Sequence, residues 1–247
     1  MGCGSGDSAK MLLEQWPNAK LTLLDMSTEH LAAARADEAL NSRALVSFEL
    51  EDANEHFSRA AASTGPMYDL VFSNAALHWC DDVPELARRL FDRVRPGGAL
   101  ALQIPDMARA PSHTLFKQTA SAMGFEADEI RLPTNDRTPE DFANHLLGPS
   151  CKTLDMWSTT YVHALTGEDA VYHFVRETFD GRRHSGAWHG ALREKFGDAK
   201  AEAFEESYRQ EVARAYPPLP VRTGGIKTTL FPFSRFFLVA RRPGLLE

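Results

Sequence analysis

Apolar positions set the rhythm of this chain from its first helix. Ala9, Leu12 and Leu13 fall on one side of a helix predicted over Ser5 to Gln15. Lys20 to Leu24 is a short β-rich run ending in Asp25. Ser27 is the N-cap candidate of a helix through about Leu40, although His30 stands where Glu or Gln would complete a capping box. Leu45 to Leu50 is a second short strand, followed by Glu51-Asp52. Tyr68 to Ser73 carries Leu70, Val71 and Phe72 without a break, the pattern of a parallel strand covered on both faces. Pro84 opens a helix with a stripe at Leu86, Leu90, Phe91 and Val94. Pro96-Gly97-Gly98 is expected to break it, and Ala99 to Ile104 follows as a strand. Strand and helix alternate with short connections, which predicts an α/β, doubly wound, mostly parallel sheet.

After Asp106 the rhythm changes. Ser112 to Met123 reads as a helix, and Gly124 to Pro149 is irregular with a helix after Pro139. Leu154 to Leu165 reads as a strand and Gly167 to Thr178 as a helix. Gly181 to Gly186 is a loop rich in Gly, Arg and His. Phe204, Tyr208, Val212 and Tyr216 recur every four residues in a helix over Asp198 to Tyr216, which Pro217, Pro218 and Pro220 end. Phe231 to Arg241 is a closing strand. The expected division is a Rossmann-like core over 1–123, a helical cap and substrate region over 124–228 with one core strand near 154–165, and a closing strand and tail over 229–247. Trp157, Trp188 and the Phe231-to-Phe237 cluster are expected in the core.

Bulk composition narrows the partners. Among 247 residues, 43% are hydrophobic and 25% charged, ordinary values for a globular chain with a sizeable core. A net charge of −7 gives no general footprint for nucleic acid or an anionic membrane. The three cysteines, Cys3, Cys80 and Cys151, are odd in number and far apart, so neither a disulfide framework nor a metal site is expected. A reducing, cytoplasmic setting and a monomer follow as expectations. No apolar run approaches the roughly 18 residues that span a bilayer, and the start lacks signal-peptide regions. Met-Gly-Cys is reminiscent of an acylation site, but Gly6 stands where Ser or Thr is wanted.

The candidate chemistry begins at Gly2-Cys-Gly4-Ser-Gly6. Glycines permit close backbone approach and left-handed φ, and the helix that follows offers free N–H groups. A dinucleotide fingerprint wants Gly or Ala at the position of Asp7, so a nicotinamide oxidoreductase is disfavoured. Asp25 ends a strand 21 residues after Gly4, where a carboxylate can accept both hydroxyls of a ribose, or can simply cap a helix. Asp52 ends the next strand in the same way. Three strand ends therefore point at one crevice.

The order G-C-G-S-G, L-T-L-L-D, E-D-A, Y-D-L-V-F-S-N-A-A-L-H-W and R-P-G-G-A-L-A-L resembles class I S-adenosylmethionine-dependent methyltransferases. Phe72 to Trp79, Gln103-Ile-Pro-Asp106, Pro111-Ser-His113, Trp157 to Tyr161 with His163, and Pro232 to Ala240 resemble the trans-aconitate 2-methyltransferase family in order and over nearly the whole chain. The resemblance implies transfer of a methyl group to one carboxylate of a small polycarboxylate. It implies that Gly2, Gly4 and Gly6 face the methionine part of S-adenosylmethionine. Asp25 would bind the ribose, with Met26 beside the adenine and Asp52 and Ala53 on its edge. Asn74 and Ala75 would lie beneath the reacting end, and His78 and Trp79 at the active-site edge, where His78 could instead be structural and Trp79 could simply pack.

A polycarboxylate needs cationic and hydrogen-bonding partners, for which Arg182, Arg183, Arg235, His113, Tyr161 and Lys227 are candidates; any single loop arginine could equally be a solvated surface charge. A carboxylate acceptor is already ionised at neutral pH, so no catalytic acid or base is nominated. In that family a strand runs into the glycine turn and a helical segment precedes it. Here only Met1 stands before Gly2, so the first strand and N-terminal helix are expected to be missing. Two possibilities follow: an active O-methyltransferase whose true start lies upstream, or a non-catalytic relic or subunit completed by another chain. The expectation drawn is weak or absent cofactor binding unless upstream residues are restored. Another carboxylate acceptor, such as a malonyl carrier protein or a fatty or isoprenoid acid, is the rival substrate.

Overall fold

The structure is a computed structural model. It describes residues 1–41, 45–52, 66–125, 136–179, 188–220 and 226–245. The chain divides into two compact units. The first comprises Met1–Pro105, Arg137–Ser158 and Phe236–Glu247, and the second Asp106–Asp136 and Thr159–Arg235.

In the first unit, α1 (Asp7–Gln15) is followed by β1 (Leu21–Asp25), α2 (Thr28–Ala36), α3 (Glu38–Asn41) and β2 (Val46–Leu50). The single helix expected from Ser27 to Leu40 is two. Asp37 is extended, and its carboxylate accepts from Ala39 N at 3.0 Å and Lys10 Nζ at 2.9 Å, which caps α3 and ends α2. Ala9 and Leu13 of α1 pack with Leu23, Ala34 and Leu40 in a small core.

Next come β3 (Tyr68–Asn74), a 3-10 turn at Leu77–Trp79, α4 (Val83–Asp92) and β4 (Val94–Pro105). Asp82 caps α4, and Leu86, Leu90 and Phe91 are buried from its one apolar face. Pro96-Gly97-Gly98 does not break this helix, which has already ended at Arg93. It forms a bulge inside β4, where pairing jumps from Tyr68–Val94 to Leu70–Ala99. Gly98 is required there, because a Cβ would lie 2.6 Å from the Asp69 carbonyl oxygen. Later in the chain this unit also holds α6 (Pro139–Leu146), whose Thr138–Asp141 capping box starts it cleanly, and Phe142 of α6 packs on Phe236.

The second unit contains α5 (Pro111–Ala122), α7 (Ala170–Phe179), α8 (Trp188–Phe196) and α9 (Asp198–Ala215). Phe116 of α5 meets Phe204 and Tyr208 of α9 edge-on at 5.0 and 5.2 Å between centroids. This packing puts α5 in the second unit, whereas the sequence-based division carries 1–123 as one core and 124–228 as the cap. α6 falls in the first unit because Phe142 and Leu146 are buried in its core. α8 is an element the pattern analysis did not reveal.

The remaining strands, β5 (Thr153–Thr166) and β6 (Thr228–Arg241), each run from one unit into the other. The described strands form two sheets: β1-β2, and a sheet in the order β3-β4-β6-β5. β1–β2 and β3–β4 are parallel. β6 opposes both its neighbours, as the bonds Arg242 N to Gly98 O and Asp106 N to Ser234 O, and Lys152 N to Arg241 O and Gly167 N to Lys227 O, require. Among the described residues no strand joins β1 to β3. The chain start does so with two bonds: Met1 N donates to Phe72 O of β3 at 3.0 Å, and Cys3 N donates to Leu24 O of β1 at 3.0 Å. Trp157, expected in the core, is 46% exposed and stacks flat on Phe237 at 5.1 Å. No helix among the described residues is long and apolar enough to cross a membrane.

Candidate functional site

The glycine turn is built by backbone conformation. Gly2, Gly4 and Gly6 have φ of +62°, +55° and +92°, all in the left-handed region. Two of the three are also packed. A Cβ at Gly2 would lie 2.1 Å from Ala76 Cβ, and one at Gly6 2.4 Å from Leu40 Cδ1. Gly4 differs, since nothing lies within 4 Å of its Cβ direction. The turn is thus clamped at both ends and open in the middle. Gly6 caps α1, whose first N–H groups follow directly.

Asp25 closes the turn from the other side. It is 7% exposed at the end of β1. Its Oδ2 accepts from Gly4 N at 2.8 Å, and its Oδ1 accepts from Ser27 N at 2.9 Å and lies 3.2 Å from His30 Nδ1. His30 is held in turn by its own N–H, which donates to the Ser27 hydroxyl at 3.2 Å. In the sequence His30 stands out only as an imperfect capping residue. Its spacing five residues after Asp25, at the first turn of α2, is the signal that places it on the carboxylate. Burial, then the nearby Asp25 charge, pushes the Cys3 thiol up to about 11. Burial lowers the pKa of the Met1 amine.

The other strand ends lie in the same unit. Met26 is 54% exposed and Asp52 is half-buried just after β2. Ala53 lies outside the described residues. Asn74 is exposed at the end of β3. Ala75 has φ +52°, a conformation that strains a residue with a Cβ, and its N–H donates to Gln103 O at 2.9 Å. Ala76 then packs over Gly2. His78 is buried in the 3-10 turn with its ring 5.3 Å from that of the half-buried Trp79.

The second unit holds the acceptor-side candidates. Arg235 lies over the rings of Phe233 at 5.0 Å and Tyr161 at 5.6 Å. Burial lowers the pKa of this half-buried guanidinium. Tyr161 is 46% exposed, so the pair presents a cation and a phenol together. His113 is 4% exposed, with Nδ1 3.1 Å from the Ser112 hydroxyl. Ser112 is itself fixed, because Tyr208 donates to its carbonyl at 2.8 Å and its N–H donates to Tyr216 Oη at 3.1 Å. Lys227 is engaged by Glu168 at 2.6 Å. Arg182 and Arg183 lie outside the described residues. Among the described residues no group of His, Cys, Asp and Glu could hold a metal ion.

The comparisons with known proteins bear on the family. A methyltransferase domain family matches residues 1–100. A trans-aconitate 2-methyltransferase from Streptomyces avermitilis is 34% identical over 98% of this chain and 83% of its own length. The enzyme of the same description from Streptomyces coelicolor is 37% identical over 98% of this chain and 75% of its own. Among solved structures, YcgJ from Bacillus subtilis shares the fold at a TM-score of 0.51 and 13% identity, covering 98% of this chain and 89% of that one. The chain belongs to the trans-aconitate 2-methyltransferase family, whose members are S-adenosylmethionine-dependent enzymes of the doubly wound, Rossmann-like methyltransferase fold.

Proposed function

We propose that the protein transfers a methyl group from S-adenosylmethionine to one carboxylate of trans-aconitate, giving a monomethyl ester. One observation carries the reading. The kinship with trans-aconitate 2-methyltransferases runs over 98% of the chain, well past the residues 1–100 of the general methyltransferase domain. S-adenosylmethionine, when bound, supplies an electron-poor methyl group on a sulfonium.

The residues present fit that cofactor. The open face at Gly4 suits its methionine part, flanked by the clamped Gly2 and Gly6. Asp25 would take the ribose, Met26, Asp52 and Ala53 the adenine, and Asn74 and Ala75 the reacting end. The strained Ala75 backbone supports a demand on geometry there. His78 and Trp79 would border the acceptor. Arg235 and Tyr161 would grip a carboxylate, with His113 and Arg183 as further acceptor residues. The guanidinium fork matches a carboxylate, and its aromatic flanks hold it in plane. The acceptor is an anion at neutral pH, its ordinary pKa being about 4, so the chain supplies no base. Orientation and exclusion of water are what these residues contribute.

The net charge of −7 and the few, widely spaced cysteines of the sequence support a cytoplasmic setting with neither membrane nor nucleic acid as partner, and a monomer is part of the same reading. The test is methyl transfer from labelled S-adenosylmethionine to trans-aconitate, cis-aconitate, isocitrate and a malonyl thioester. Ester formation fastest on trans-aconitate, by about tenfold or more, is the expected result. A folded protein that binds S-adenosylmethionine by calorimetry yet esterifies another acid faster would replace this acceptor. No binding at all would remove the proposed activity of this chain.

A further inference from the structure

A carboxylate has about four acceptor positions, two on each oxygen. On Asp25 three are taken. Oδ1 receives Ser27 N at 2.9 Å and, at 3.2 Å, His30 Nδ1, which carries the proton in the tautomer this contact needs. Oδ2 receives, among the described residues, Gly4 N alone at 2.8 Å. Sequence reasoning lets this aspartate take both hydroxyls of a ribose. The geometry leaves it room for one.

We propose that His30 is a positioning residue for the cofactor. It saturates Oδ1 of Asp25 and so makes Oδ2, beside Gly4, the acceptor for a single ribose hydroxyl. The proposal rests on S-adenosylmethionine being the ligand of this turn. His30 suits the task because it is fixed twice. Its backbone N–H is held by the Ser27 cap, and its ring sits on the buried carboxylate while its side chain keeps 29% of its surface exposed. Ser27 N is a backbone donor set by the start of α2, and Gly4 N is set by the left-handed turn. His30 is therefore the donor whose removal by substitution would reopen Oδ1.

The experiment is calorimetric binding of S-adenosylhomocysteine and its 2′-deoxy and 3′-deoxy analogues to the full chain, to His30→Leu and to His30→Gln. In the unaltered protein one deoxy analogue is expected to bind about tenfold or more weakly, because it loses a hydrogen bond to a charged group. The other should stay within about twofold. In His30→Leu the second position on Oδ1 is open, both hydroxyls can engage Asp25, and the gap between the two analogues should close to about threefold or less. His30→Gln, which restores an N–H donor, should bring much of the gap back. Equal losses for both analogues in the unaltered protein overturn the proposal even if His30→Leu fails to fold. So does an unchanged gap in His30→Leu. Failure of the unaltered, folded protein to bind S-adenosylhomocysteine refutes instead the cofactor assignment on which the proposal rests.

Discussion

Three glycines of one turn divide their work at the level of single atoms. Gly6 needs both its left-handed φ and its missing Cβ, because Leu40 fills the space beside it. Gly6→Ala is expected to cost about 2 kcal/mol or more of stability, from backbone strain plus overpacking. Gly4 needs only the φ of +55° and opens on free space. Gly4→Ala should cost about 1 kcal/mol in urea unfolding but weaken S-adenosylmethionine binding about tenfold or more, since its methyl would stand in the open face. The reverse ranking would remove Gly4 from the cofactor site. The glycine spacing and the strand-terminal Asp25 are plain in the sequence. The bond from Gly4 N to Asp25 and the place of His30 are not, because both depend on how β1 and α2 are laid against the turn.

Elements are held by pairs that sequence periodicity half discloses. The four-residue recurrence of Phe204, Tyr208 and Val212 marks the buried face of α9, but not its partner, α5. Tyr208 also donates to the buried Ser112 carbonyl at 2.8 Å, so Tyr208→Phe should cost about 1 kcal/mol by thermal unfolding. On α4, the Arg88 and then the Arg89 guanidinium holds Glu85 down at about 2, against an ordinary 4.5. A depressed carboxylate pKa stabilises above the unfolded value, and that contribution is lost as pH falls from about 4.5 toward 2. The group is partly solvated, so the effect is expected to be about 0.5 kcal/mol and to fade with salt. Stability measured at pH 6 and pH 3 should therefore differ slightly less in Glu85→Gln than in the unaltered protein, and an identical difference would deny the pairing any role.

At the scale of the molecule, the two sheets are unequal. β4 is paired on both sides, by β3 and β6, whereas β1 and β2 pair with each other. Beyond that ladder, the chain start adds one bond to β1, from Cys3 N to Leu24 O. Two-stranded sheets are marginal by themselves and lean on helix packing, here from α1 and α2. Hydrogen exchange should reflect this, with amides of β4 about tenfold or more slower than those of β1 and β2. Equal protection would mean that the small sheet is stabilised by something other than its ladder.

Local pattern alone determined most elements and the glycine turn. Apolar periodicity, caps and glycines act over a few residues, and the chain carries them in order from Gly2 to the closing strand. It also carried the family motifs from Phe72 to Ala240. What tertiary structure decided is whatever joins distant residues. Pro96-Gly97-Gly98, which reads as a helix breaker, became a bulge because Asp69 of β3 lies against Gly98. Trp157, which reads as core, became a surface ring because β5 ends the order β3-β4-β6-β5. Arg235 has Phe233 on its own strand, but it found Tyr161 only through the pairing of β6 with β5. The acceptor count on Asp25 was decided in the same way. Residue types say that a carboxylate is present, and only the fold says how much of it is already spoken for.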